Sequence, residues 1–136
     1  HSHLAALNNY FQAKGRDYAI MITDSLRAKY CPPGGGYQLG GHDIVIGEDG
    51  LARLAGTDTI AGSTLHMNRG LRILVEEAMV PFDAAVNSCT INPARCLGVN
   101  DRKGRIVAGC DADLVVLEDD YEVLQTYCRG KAMLHA

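Results

Sequence analysis

The chain has 136 residues, with 13 Lys and Arg against 16 Asp and Glu, for a formal net charge of −3. At 47% hydrophobic and 21% charged residues it has the composition of an ordinary globular protein, and its length predicts about one domain. The acidic balance argues against a broad nucleic-acid footprint, which needs clustered Lys and Arg. No apolar run approaches the roughly 20 residues that span a bilayer, so neither nucleic acid nor membrane is expected as a partner.

His1-Ser2-His3-Leu4 has no initiator Met and none of the basic and apolar regions of a signal peptide, so the start reads as an internal cut or a tag scar. The five cysteines (Cys31, Cys89, Cys96, Cys110, Cys128) are odd in number and form no C-x-x-C pair. This pattern predicts reduced thiols in the cytoplasm rather than a disulfide framework or a structural zinc site, with Cys89 and Cys96 read as buried thiols.

Leu4, Leu7 and Phe11 recur at helical spacing before Gly15, which predicts a helix over 4–14. Tyr18–Thr23 is a short apolar run that predicts a buried strand with Asp24 at its C-terminal tip. Pro32-Pro33-Gly34-Gly35-Gly36 marks a loop. Short strands follow at Tyr37–Leu39, Asp43–Ile46 and Leu51–Leu54, divided by Gly40-Gly41 and Glu48-Asp49-Gly50. Met67, Leu71, Leu74, Val75 and Ala78 then define an amphipathic helix that Ser63 or Thr64 can cap. A further helix is expected after Pro81, over about 83–89. Asn92-Pro93 reads as the cap and first residue of another, stopped by Gly98. Beyond residue 100 the pattern turns to β, with strands at Arg105–Val107, Asp113–Leu117 and Glu122–Tyr127, and a turn at Arg129-Gly130-Lys131 leading into Ala132–Leu134. One α/β strand cannot bury itself alone, so the chain reads as the C-terminal part of something larger.

Three segments carry a resemblance: Ile22-Thr23-Asp24 at a strand end, Thr59–Met67, and Gly104–Leu117, with Asn92-Pro93-Ala94-Arg95 between the last two. The last segment is similar to the metal-dependent amidohydrolases broadly. The set, in this order, resembles the N-acetylglucosamine-6-phosphate deacetylase family in particular, over nearly the whole chain. The resemblance implies an α/β fold comprising the C-terminal portion of a (β/α)8 barrel, here residues 1–100 with Tyr18–Thr23 as the eighth strand. Residues 101–136 would supply C-terminal strands of a small β-sandwich. It implies metal-dependent hydrolysis of the acetamide of N-acetylglucosamine 6-phosphate to glucosamine 6-phosphate and acetate, in a cytoplasmic homodimer. The alternatives are another amidohydrolase acting on a cyclic amide or an amino-purine, and a non-catalytic truncated module.

On the same resemblance, Asp24 is the general base and acid, taking a proton from metal-bound water and delivering one to the leaving amine. An Asp at a strand end can equally cap the following turn. Ile60, Ala61 and Gly62 match the segment whose backbone contacts the sugar, although a turn of this kind can also serve as a plain helix N-terminus. His1 stands where the family has a His that helps hold the phosphate, or is a tag remnant. The divalent metal, zinc by preference, takes its Glu and His ligands upstream of this chain, which alone should be inactive. His42, His66 and His135 carry weaker claims, with His66 read as a surface or packed residue on the helix. Asp111-Ala112-Asp113 reads as a structural turn, and Glu76-Glu77 and Glu118-Asp119-Asp120 as solvated faces or turns.

Overall fold

The computed structural model describes residues 2–30 and 36–133. Its elements in chain order are α1 (Leu4–Lys14), a 3-10 turn (Arg27–Tyr30), β1 (Tyr37–Leu39), β2 (His42–Ile46), β3 (Ala52–Leu54), α2 (Met67–Arg72) continued by a π turn (Ile73–Glu77), α3 (Phe82–Cys89), α4 (Ile91–Cys96), β4 (Leu114–Leu117), β5 (Val123–Cys128) and β6 (Lys131–Ala132). The fold is α/β, and the chain divides into two compact units: Thr23–His66, and the remainder on either side of it.

In the larger unit, α1 is capped by the His3 side chain, which accepts from the Ala5 amide at 3.3 Å, and is closed where the Gly15 amide donates to the Phe11 carbonyl at 2.8 Å. Its inward residue Phe11 packs with Ala19, Leu71, Leu74, Ala78, Val80, Ala84 and Ala85 in one core. The helical spacing from Met67 to Ala78 is present, but the last turn is widened: the Ala78 amide donates to Ile73, five residues back, at 2.9 Å. The helix also begins at Met67, later than a cap at Ser63 or Thr64 predicts, because residues 59–63 are engaged as extended chain. The next helix starts after Pro81 as expected.

One further sequence expectation is corrected here, and a second finds no pairing partner among the described residues. Asn92 does not cap α4, since Thr90 takes the N-cap position. Instead the buried Asn92 amide donates to the carbonyls of Arg16 at 2.9 Å and Ala19 at 2.8 Å, tying the segment after α1 to α4. Tyr18–Thr23 forms no strand ladder among the described residues. One of its backbone bonds runs from the Met21 amide to the Ser88 carbonyl at 3.0 Å, a helix residue rather than a strand. A strand needs a neighbour along its length, and none of the strand pairings among the described residues includes this run.

β4, β5 and β6 form an antiparallel sheet, with Leu114 opposite Tyr127 and Cys128 opposite Lys131. Arg105–Val107 is not a strand. The chain there turns, with the Asp111 amide on Arg102 O and the Cys110 amide on Val107 O, and Gly104 lies against the backbone of Thr90 and Ile91. Asp111 and Asp113 are structural, as expected. Lys103 Nζ bonds Asp111 at 2.8 Å and also Asp113, Arg102 bonds Asp111 at 3.2 Å, and Asp113 accepts from the Arg129 amide at 2.8 Å. These cations hold both carboxyls below the usual range. Cys89 is half-buried, and burial pushes its thiol up, whereas Cys96 is exposed rather than buried.

In the smaller unit, β1, β2 and β3 form an antiparallel meander, with Leu39 opposite His42 across Gly40-Gly41 and Ile46 opposite Ala52. Ile44, Ala52 and Ala61 are its buried core, with Leu26, Tyr37 and Leu54 packed against them. The turn between β2 and β3 is held by Asp49, which accepts from the Leu51 amide at 3.0 Å and from both terminal nitrogens of Arg53 at 3.1 and 2.7 Å.

Candidate active site

The smaller unit brings Asp24 beside the Ile60–Gly62 segment through two successive pairings. First, residues 59–61 add to the free edge of β3: the Leu54 amide donates to Thr59 O and the Ala61 amide to Ala52 O, each at 2.9 Å, flanking an antiparallel bridge between Arg53 and Ile60. Ala61 thereby turns its methyl into the core at 7% exposure, while Ile60 stays open. Second, the chain continues into a parallel bridge between Ser63 and Ser25. The Ser63 amide donates to Asp24 O and the Leu26 amide donates to Ser63 O, both at 2.9 Å.

Asp24 is exposed and stands in left-handed backbone geometry, with φ 52°. Among the described residues its carboxylate has neither a hydrogen-bond partner nor an ion pair. It does not cap the following turn with its side chain. A non-glycine residue at positive φ is uncommon, and Asp is among the few types that tolerate it. Gly62 also has positive φ, at 68°, and a Cβ there would lie 2.6 Å from Leu26 Cδ2. Only glycine fits both requirements.

The Ser63 hydroxyl oxygen accepts from the Leu65 amide at 2.9 Å, a local turn rather than a cap on α2, and Thr64 Oγ1 donates to Gly50 O at 2.6 Å. His66 lies just before α2, half-buried, with its ring edge-on to Tyr30 at 5.3 Å between centroids. His42 is exposed at the hairpin. His1 and His135 lie outside the described residues. Leu26 and the Ser63 backbone were not legible as site elements, since a leucine after a strand end and a serine before a helix carry no signal of this pairing.

No group of three or more His, Cys, Asp or Glu that could hold a metal ion occurs among the described residues. The described residues form no metal site of their own, and Asp24 stands as a single open carboxylate. No helix among them is long and apolar enough to cross a membrane.

A family model described as the amidohydrolase family matches residues 24–133. The chain is similar to N-acetylglucosamine-6-phosphate deacetylase of Bacillus subtilis, 42% identical over 130 residues, covering 96% of this chain and 32% of that protein. It is also similar to the enzyme of that name from Danio rerio, 36% identical over 132 residues, with 96% and 32% covered. Among solved structures, the N-acetyl-D-glucosamine-6-phosphate deacetylase of Mycobacterium smegmatis matches with a TM-score of 0.90 at 35% identity, over 98% of this chain and 35% of that one. A variant of the Mycobacterium smegmatis protein in complex with N-acetyl-D-glucosamine-6-phosphate matches with a TM-score of 0.88 at 37% identity, over 97% of this chain and 35% of that one. The chain spans about a third of the length of the curated relatives it matches.

Proposed function

Since this chain belongs to the amidohydrolase family, we propose that the full-length protein hydrolyses the acetamide of N-acetylglucosamine 6-phosphate, giving glucosamine 6-phosphate and acetate. The observation that carries the proposal is the open Asp24 carboxylate, held by backbone hydrogen bonds next to Ile60–Gly62. The names of the similar proteins support the choice of substrate, and nothing in the site favours a cyclic amide or an amino-purine.

Amide hydrolysis needs two proton movements. The attacking water must lose a proton as its oxygen bonds to the carbonyl carbon, and the leaving nitrogen must gain one as the C–N bond breaks. One ionised carboxylate within hydrogen-bond reach of both can perform the two in sequence. Asp24, with no side-chain partner among the described residues to compete for its oxygens, is assigned that role. Ile60, Ala61 and Gly62 are assigned to line the sugar with their backbone, and the space a Gly62 side chain would take is filled by Leu26. His1 is assigned to the phosphate, to which an imidazole can donate. A divalent metal, zinc by preference, would be held by residues outside this chain and, when bound, would supply Lewis-acid activation of the water and the carbonyl.

We assign residues 1–100 to the last part of a (β/α)8 barrel and residues 101–136 to strands of a β-sandwich. Tyr18–Thr23, which forms no strand ladder among the described residues, takes the place of the eighth barrel strand once flanking strands from the rest of the protein are present. The position of Asp24 supports the first assignment, because barrel catalysis sits at C-terminal strand ends. The apolar residues left open on β4 and β5, among them Val115 at 60% and Leu124 at 56% exposure, support the second, as a sheet face that further strands would cover. The proposed setting is a cytoplasmic homodimer acting on a small amino-sugar phosphate.

The test is acetate release from N-acetylglucosamine 6-phosphate by the full-length protein, with and without divalent metal. Metal-dependent release is expected. A folded, metal-loaded protein that releases no acetate overturns the substrate.

A further inference from the structure

We propose that Leu26 is the positioning residue of this site, keeping Asp24 in register with Ile60–Gly62 by occupying the space beside Gly62. The activity readout of this inference rests on the deacetylase reading. Its content rests on the geometry of the smaller unit.

The pairing that joins Asp24 to the sugar segment is short. Two backbone bonds, Ser63 N–H to Asp24 O and Leu26 N–H to Ser63 O, enclose a single bridge between Ser25 and Ser63. Two bonds set the spacing of the chains, and a ladder this short leaves sliding and twisting to be resisted by side-chain packing as well. The Leu26 side chain adds a packing restraint at Gly62. It packs on the core of Ile44, Ala52 and Ala61, and its branched end presses on Gly62 so closely that a Cβ there would lie 2.6 Å from Cδ2, 2.7 Å from Cγ and 3.1 Å from Cδ1. One side chain therefore touches the sheet core and the sugar-contact turn, two residues after the carboxylate that must face that turn. Leu26 acts only through these neighbours. Its loss should displace Asp24 relative to the bound sugar, and a displacement of about 1 Å can cost a hundredfold in rate.

The experiment compares Leu26→Met, Leu26→Ala, Gly62→Ala and the double variant Leu26→Ala/Gly62→Ala in the full-length protein. It measures kcat and KM for N-acetylglucosamine 6-phosphate, together with hydrogen exchange of the Ser63 amide and of β2. Leu26→Met keeps the volume and should retain parent kinetics and parent exchange. Leu26→Ala should lower kcat by about tenfold to a hundredfold with a smaller change in KM, and should speed exchange at Ser63 while β2 stays protected. Gly62→Ala should lower kcat, and adding Leu26→Ala should restore part of the loss by opening the space the new methyl needs.

Parent kcat and parent Ser63 exchange in Leu26→Ala would overturn the inference, as would a Gly62→Ala defect that Leu26→Ala only deepens. If Leu26→Ala loosens β2 as well, Leu26→Val replaces it, with the same two outcomes deciding. If the parent protein releases no acetate, the deacetylase reading fails by itself. The exchange arm then decides: faster Ser63 exchange in the Ala variant and parent exchange in the Met variant supports the role of Leu26, and unchanged exchange in both refutes it.

Discussion

The carbonyl of Asp24 accepts the Ser63 amide at 2.9 Å, so two residues 39 positions apart in the chain are joined by backbone. The bond matters because it commits no side-chain atom. The Asp24 carboxylate stays open to solvent while its main chain is pinned, and the pinned partner follows directly on Ile60-Ala61-Gly62. Those residues are anchored in turn on β3 through Ala52 and Leu54. The small antiparallel sheet thus acts as a mount for the segment proposed to contact the sugar, and the Ser25–Ser63 bridge passes that fixed position on to Asp24.

Asp24 allows its chemistry and its backbone geometry to be tested separately. Asp24→Asn keeps the shape and removes the base, so acetate release should fall by about 10²–10⁴-fold, the usual worth of general acid–base catalysis. Asp24→Gly should be equally inactive, yet glycine adopts φ 52° freely, so its melting temperature should match or exceed that of the parent. Acetate assays and thermal unfolding of both variants decide the point. Activity within a few-fold of the parent in Asp24→Asn would remove the proton-transfer role.

Much of this architecture was legible in the sequence, and the misses share a cause. Leu4, Leu7, Phe11 and Gly15 define α1 because helix periodicity and its stop are local. Tyr37–Leu39, Gly40-Gly41 and Asp43–Ile46 define a hairpin for the same reason. Tyr18–Thr23 has the apolar run of a strand, but a ladder depends on segments distant in sequence. Ser63 has the chemistry of a cap, yet pairing with Ser25 keeps its backbone extended and defers the helix to Met67. Asn92 before Pro93 has the pattern of a cap, yet two carbonyls 76 and 73 positions away claim its amide. In the site, Asp24 and Gly62 were visible as residue types. Their adjacency was not, because it runs through Ala52, Leu54 and Leu26.

Asn92 should be among the costliest single residues to change in the larger unit. It is 3% exposed and supplies both hydrogens of its amide to Arg16 O and Ala19 O. Asn92→Leu leaves two carbonyls with no donor, at a cost of roughly 2–4 kcal/mol for the pair. Asn92→Asp should do no better, since an ionised carboxylate accepts but cannot donate. Urea unfolding of the two variants checks this, and a loss below about 1 kcal/mol would mean that water replaces the amide.

The Asp49–Arg53 pair gives a pH signature. The Arg53 guanidinium and the Leu51 amide hold the Asp49 carboxyl down at about 2. Its folded value therefore lies below the roughly 3.9 of an unfolded Asp. The contribution of the pair to stability is fully present above that ordinary value and disappears as pH falls through about 2. Both side chains reach solvent, so added salt should weaken the pair. An NMR titration of the Asp49 carboxyl should show the low midpoint, and Arg53→Gln should move it up towards the ordinary range. A midpoint unchanged by that substitution would show that the Leu51 amide alone sets it.

Gly104 and Gly109 form a controlled comparison, because both have positive φ, 85° and 92°, but different surroundings. A Cβ on Gly104 would lie 2.8 Å from Ile91 Cα and 2.9 Å from Thr90 O, whereas nothing lies within 4 Å of one on Gly109. Gly109→Ala should carry only the left-handed backbone penalty, about 1 kcal/mol. Gly104→Ala carries the same penalty plus a collision with backbone that cannot rotate away, which adds about 1–3 kcal/mol as the turn is pushed off α4. Thermal unfolding of the two variants should therefore rank Gly104→Ala well below Gly109→Ala. Equal losses would mean that the loop over 101–110 yields without cost and that its contact with Thr90 and Ile91 adds nothing to the fold.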